Sequence, residues 1–128
     1  MRKKFQEQLF KKYPEIFVDI TKPPEESGMA FGIQTGDGWY WLIDQICAEL
    51  QWLTKQGHPQ VIAFQIKEKF GSLRFYTRGE SNQQNDLLSF AERLSKTICE
   101  NCGSTHDVKM QKRKDGPVIA TLCNKCRG

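Results

Sequence analysis

The stretch Val61-Ile62-Ala63-Phe64-Gln65-Ile66-Lys67-Glu68-Lys69-Phe70-Gly71-Ser72-Leu73-Arg74-Phe75-Tyr76-Thr77-Arg78 is two runs of β-branched and aromatic residues around a glycine. Such runs favour extended backbone, and a Gly-first pair at their junction suits a two-residue type II′ turn. A β-hairpin closed by Gly71 and Ser72 is therefore expected. In that register Phe70 faces Leu73, Lys69 faces Arg74, Glu68 faces Phe75, Lys67 faces Tyr76 and Gln65 faces Arg78. Alternation then assigns Ile62, Phe64, Ile66, Phe70, Leu73 and Phe75 to the core and Lys67, Lys69, Arg74, Tyr76 and Arg78 to the outer face.

Two features of this pairing stand out. Lys69 beside Arg74 is a like-charged cross-strand pair, which asks for an anion, a nearby acid or plain solvation. As a binding surface it would take phosphates, with Tyr76 stacking on a base; as an ordinary outer face it would be solvated, its lysines discouraging edge-to-edge pairing. Glu68 falls on the apolar face, where a carboxylate needs a partner or a shifted pKa. It is a structural ion pair, an anchor for backbone amides of a glycine-rich loop, or a sign that the turn is longer than two residues.

Outward from the hairpin, two amphipathic helices are legible. Trp39, Leu42, Ile43, Ile46, Leu50 and Leu53 recur at helical spacing, with Asp37 as a cap before them and Gly57 and Pro59 as stop signals after, and Cys47 at the stripe's edge. After the hairpin, Leu87, Leu88, Ala91, Leu94 and Ile98 form a second stripe behind Asn85 or Asp86, running directly into Cys99. A short helix over residues 2–13 carries Phe5, Leu9, Phe10 and Tyr13 and stops at Pro14. Between it and the main helix, a stretch rich in glycine and proline reads as irregular, with room for a short strand at residues 29–34.

Cys99-Glu100-Asn101-Cys102 and Cys123-Asn124-Lys125-Cys126 are two Cys-x-x-Cys pairs separated by 20 residues. Two such turns complete a tetrahedron of sulfurs about 2.3 Å from one Zn²⁺ ion, and an all-sulfur site is closed to water and substrate, so the zinc is expected to be structural. Gly103 permits a tight knuckle. Asp115-Gly116 is a turn signal between residues 108–114 and 117–122, which read as the hairpin of a zinc ribbon. The alternative, a redox Cys-x-x-Cys pair, belongs at the start of a helix in a thioredoxin-like unit. His106 is expected in a solvent-exposed loop, and Cys47 as a small core residue.

The whole is thus expected to be α+β: a hairpin or small antiparallel sheet packed by two helices over residues 1–98, and a C-terminal zinc ribbon over residues 99–128. The length of 128 residues suits one compact unit with a metal-held appendage. No apolar run nears the ~20 residues a bilayer requires, and the Met1-Arg2-Lys3-Lys4-Phe5 start lacks the apolar core of a signal peptide, so a cytoplasmic location without membrane contact is expected. The formal charge of +4 falls to about +2 once four thiolates and one Zn²⁺ are counted, too small to argue for nucleic acid by itself.

Tyr13-Pro14-Glu15-Ile16-Phe17, Gly36-Asp37-Gly38-Trp39-Tyr40, the Lys67-to-Tyr76 run and the two cysteine pairs together resemble a family of small proteins encoded by bacteriophages and prophages. The resemblance spans nearly the whole chain and implies origin and architecture more than chemistry. Phage proteins of this size are often dedicated binders of host machinery, so it implies a binding module acting on a host protein or protein–nucleic-acid complex in the bacterial cell, including inhibitors of restriction or CRISPR defence. A second reading is direct DNA or RNA binding through the strand face and ribbon residues such as Lys112, Arg113 and Lys114. An enzyme is the weakest reading. His58 and His106 lie in no nuclease or metalloprotease motif, no P-loop is present, and only a carboxylate set of Asp37, Asp44 and Glu68 is left to propose.

Overall fold

The computed structural model describes residues 1–112 and 118–127. Among them four helices and two small sheets follow in the order α1 (Lys3–Lys12), β1 (Ile33–Gln34), α2 (Tyr40–Lys55), β2 (Ile62–Lys69), β3 (Ser72–Arg78), α3 (Asn82–Ser95), β4 (Val108–Lys112), β5 (Ile119–Cys123) and α4 (Asn124–Arg127), with short 3₁₀ turns at Val18–Thr21, Gly28–Phe31 and Asp37–Trp39. The class is α+β, as the patterning indicates. The hairpin is extended by a third strand, since β1 pairs in parallel with β2, which pairs antiparallel with β3.

The hairpin forms one residue out of the expected register. Lys69 faces Ser72, Glu68 faces Leu73, Lys67 faces Arg74 and Ile66 faces Phe75, so the turn residues are Phe70 and Gly71, at φ 53° and 82°. Left-handed values at both central positions are those of a type I′ turn, whose twist matches that of the strands. A non-glycine residue there costs about 1–2 kcal/mol. Alternation breaks again at Phe64, where a β-bulge lies between Ala63 and Gln65. The Ser27 hydroxyl donates to the bulge carbonyl of Phe64 at 3.1 Å, and Gly28 sits so close to Gln65 that a Cβ would lie 2.9 Å from its side chain. In consequence Ala63 is buried while Phe64 and Phe70 are exposed, contrary to the core assignment made from simple alternation.

The main core gathers Leu9, Ile16, Phe17, Ile33, the α2 stripe from Trp39 to Leu50 with Cys47, Ile66, Leu73, Phe75 and Ala91. α3 packs on α2 and along the outer edge of β3, where the Ser95 hydroxyl accepts the Leu73 N–H at 2.9 Å. This covers an edge amide that would otherwise be open to strand addition. α3 begins with a capping box in which Ser81 and Gln84 exchange hydrogen bonds, one turn ahead of the cap read at Asn85 or Asp86. Asp37 does not cap α2: its carboxylate takes the backbone N–H of Arg2 at 2.8 Å and pairs with the Arg2 guanidinium, tying α1 to the segment before α2.

A second, smaller cluster holds Cys99, Ala120, Leu122 and Cys123, with Val108 and Cys126 against it. Its two strands pair antiparallel with Lys112 opposite Ile119 and Val108 opposite Cys123. The Asp115-Gly116 turn read between them lies outside the described residues. Hydrogen bonds seat this unit on the main domain: Gly36 N–H donates to Glu100 Oε2 at 2.9 Å, Gly38 N–H to the Glu100 carbonyl at 2.7 Å, and the Thr121 hydroxyl to the Gly71 carbonyl at the hairpin turn, while Trp39 Nε1 holds the Ile98 carbonyl just before Cys99 at 2.8 Å.

Candidate metal centre and partner surfaces

The first knuckle is set by backbone geometry. The Cys99 N–H donates to the Ser104 carbonyl at 2.8 Å, and Gly103 N–H returns to the Cys99 carbonyl at 2.9 Å. Gly103 has φ 82°, open to glycine without strain. The second knuckle is the β5-to-α4 junction, held by Arg127, which donates to the carbonyls of Asp107 and Leu122 and pairs with the Asp107 carboxylate.

The four sulfurs of Cys99, Cys102, Cys123 and Cys126 lie within 4.8 Å of one another, and Cys102 and Cys123 Sγ are 3.7 Å apart. A tetrahedron of thiolates about 2.3 Å from a central ion has edges of about 3.8 Å. The quartet is therefore positioned to bind one metal ion. The Cys126 backbone N–H, aimed at Cys123 Sγ, pulls that thiol down to about 6, while burial pushes Cys126 up. His106 is exposed and outside the quartet, and Cys47 is wholly buried in the main core, where desolvation raises its thiol pKa.

The fold also supplies a clasp for the first knuckle that the motif does not reveal. Gly36 N–H donates to Glu100 Oε2 at 2.9 Å beside the Gly38-to-Glu100 bond, and a Cβ on Gly38 would lie 2.1 Å from the Cys99 carbonyl oxygen. The glycines at 36 and 38 are the only signal of this approach in the sequence, and their partner 64 residues away is invisible there.

The residues expected to form a basic partner-binding face are only partly available. Arg78 donates to Asp19 Oδ1 at 2.7 Å, and Asp19, fully buried, also pairs with Lys22 at 3.3 Å. Arg74 pairs with Glu92 of α3. Lys67 is half-buried, Lys69, Tyr76 and Lys112 are exposed, and among the described residues Lys67, Lys69 and Lys112 have no acidic partner. Arg113 and Lys114 lie outside the described residues. Glu68 is half-buried at the turn, its Oε1 accepting the Gly71 N–H at 3.0 Å, which disposes of the misplaced carboxylate as a backbone anchor. The three carboxylates considered for catalysis are engaged separately: Asp37 by Arg2, Asp44 by Tyr13 and Lys12, and Glu68 by the turn. His58 meets the capping Ser81 at 2.9 Å.

The main helices present another surface. Trp41 and Trp52, 60% and 53% exposed, stand three turns apart on the same side of α2. Phe90 of α3, 53% exposed, lines an open groove between the two helices with Leu42, Gln45, Ile46, Glu49 and Leu87. No helix among the described residues is long and apolar enough to cross a membrane. No protein-family model matches this chain, and neither a curated protein nor a solved structure matches it.

Proposed function

We propose that this protein is a non-catalytic binding module, stapled by one structural zinc ion, that docks on a host protein or on a host protein–nucleic-acid complex. The observation that carries the reading is the exposure of three large aromatic side chains, Trp41 and Trp52 of α2 and Phe90 of α3. Aromatic side chains of this size dominate the energetics of protein interfaces, and two tryptophans about 16 Å apart along one helix span the centre of a standard interface. None of the residues lining the α2–α3 groove at Phe90 is basic, so that groove suits a protein rather than phosphate.

The zinc assignment rests on the donor set. Four thiolates at tetrahedral spacing suit Zn²⁺, and once closed they leave no position for water or substrate, in keeping with a structural role. The resemblance to small phage and prophage proteins favours a partner in bacterial defence, met in the bacterial cytoplasm.

The test is capture from bacterial lysate on immobilised zinc-loaded protein, followed by isolation of a one-to-one complex. Trp52→Ala with Phe90→Ala should abolish the complex while leaving zinc content and melting unchanged. Retention of the same partner at the same stoichiometry by the double variant would remove the helical face from consideration.

A further inference from the structure

The hairpin tip breaks a local rule with no structural return. A type I′ turn prefers Asn-Gly, yet the first position is Phe70, held at φ 53° with its ring 65% exposed. A bulky residue kept in the left-handed region while its side chain stands in solvent is strain that packing does not offset, and such positions gather at binding sites. The conformation is imposed from below: Gly71 is wedged against Met110, Thr121 and Ile119 of the ribbon, and its carbonyl is held by the Thr121 hydroxyl. The backbone beneath the ring is thereby held in place.

Around it lies a groove of about 480 Å³ formed by Glu68, Lys69, Phe70, Val118 and Ile119. Lys69 Nζ stands 5.8 Å from the Phe70 ring centroid. Lys112 is the cross-strand partner of Ile119, so it shares the ribbon face that meets the turn. Lys67, two residues before Lys69, follows the same side of β2. The Glu68 carboxylate is occupied by the Gly71 amide, and the two hairpin arginines are bound to Glu92 and Asp19. What remains at the tip is the exposed Phe70 ring beside Lys69, with Lys67 further along the same side of β2 and Lys112 on the ribbon strand β4.

We infer that the tip of the β2–β3 hairpin, with the adjoining ribbon face, is a binding site for single-stranded nucleic acid, in which a base stacks on Phe70 and Lys67, Lys69 and Lys112 take the flanking phosphates. An unpaired base offers its face to a protruding ring, whereas a base within a duplex does not. The groove's lining is short of hydrogen-bonding groups for base edges, so binding is insensitive to sequence. This surface is independent of the helical face and gives the nucleic-acid half of a protein–nucleic-acid complex its own contact.

The experiment is fluorescence anisotropy of zinc-loaded protein with a labelled 12-nucleotide thymidine strand, the corresponding duplex, and a labelled hexaglutamate peptide, at 50 and 200 mM salt. The strand should bind best, and three phosphate contacts should weaken it roughly 20-fold across that salt range. Phe70→Asn, which restores the preferred turn pair and so keeps the fold, should lower affinity roughly tenfold or more, while Phe70→Tyr should retain it. Lys69→Ala with Lys112→Ala should flatten the salt dependence. No binding at 50 mM salt, equal binding of the duplex or of hexaglutamate, or undiminished affinity of Phe70→Asn with unchanged melting would each overturn the inference.

Discussion

Gly38→Ala is the substitution that most sharply probes how the metal centre is seated. Gly38 is one of the three residues of the Asp37–Trp39 turn and needs no left-handed backbone, so alanine is acceptable to the chain locally and any cost is one of contact. The new Cβ would stand 2.1 Å from the Cys99 carbonyl oxygen and 2.6 Å from the carbonyl carbon and oxygen of Glu100, all backbone atoms of the first knuckle. Overpacking of this kind costs about 1–3 kcal/mol, and displacing the loop also forfeits the Gly38-to-Glu100 hydrogen bond, worth about 1 kcal/mol. With an unfolding entropy of about 2.1 cal/mol/K per residue over the chain, a loss of about 2–4 kcal/mol lowers Tm by roughly 7–15 °C.

The comparison variant is Gly57→Ala, where φ is 105° but nothing lies within 4 Å of a Cβ. It suffers backbone strain alone, about 1–2 kcal/mol, and leaves the knuckle untouched. The assay is thermal melting of the two variants with the rate of zinc release to a chromogenic chelator. Gly38→Ala should melt lower and release metal faster; Gly57→Ala should release it at the parent rate. A Gly38→Ala protein that melts within 2 °C of the parent and holds its metal equally would refute the clasp.

Three further outcomes follow from the same geometry. Chelation of the metal, or Cys126→Ser, should abolish amide-exchange protection in β4 and β5, whose buried cluster among the described residues is Cys99, Ala120, Leu122 and Cys123, while β2 and β3 stay protected; equal protection with and without metal would contradict the staple. The Arg2 backbone amide, then its guanidinium, holds the Asp37 carboxyl below its ordinary value, so its contribution is present above the usual carboxylate range and lost as pH falls through the lowered value. Asp37→Asn should accordingly flatten the fall in Tm below about pH 4, and parallel acid limbs would show the pair to be inert. Ser95→Ala strips the partner from the buried Leu73 amide and should cost about 1–3 kcal/mol in urea unfolding; a change under 0.5 kcal/mol would mean that the edge amide finds another acceptor.

Much of this was legible because it depends on local periodicity. The α2 stripe from Trp39 to Leu53 is buried throughout, and the cysteine spacing alone brought four sulfurs to one point. What escaped depends on distant partners or on a single backbone angle. Gly71-Ser72 looked like the turn because glycine at the first position suits type II′. The ribbon instead holds Phe70-Gly71 in type I′, and the shift moves Glu68 from opposite Phe75 to opposite Leu73. Phe64 reads as core under strict alternation, but the bulge turns it outward and buries Ala63. Arg74 and Arg78 look like free cations in the hairpin, yet Glu92 and Asp19, 18 and 59 residues away, claim them. No pattern within the strand carries that information.

X-ray absorption at the zinc edge on the metal-loaded protein reads the ligand set of the four cysteines directly. A closed structural centre should give four sulfur scatterers at about 2.3 Å and one zinc per chain. A nitrogen or oxygen ligand in the first coordination sphere, or a stoichiometry other than one, would contradict a closed structural centre and return the site to the question of catalysis.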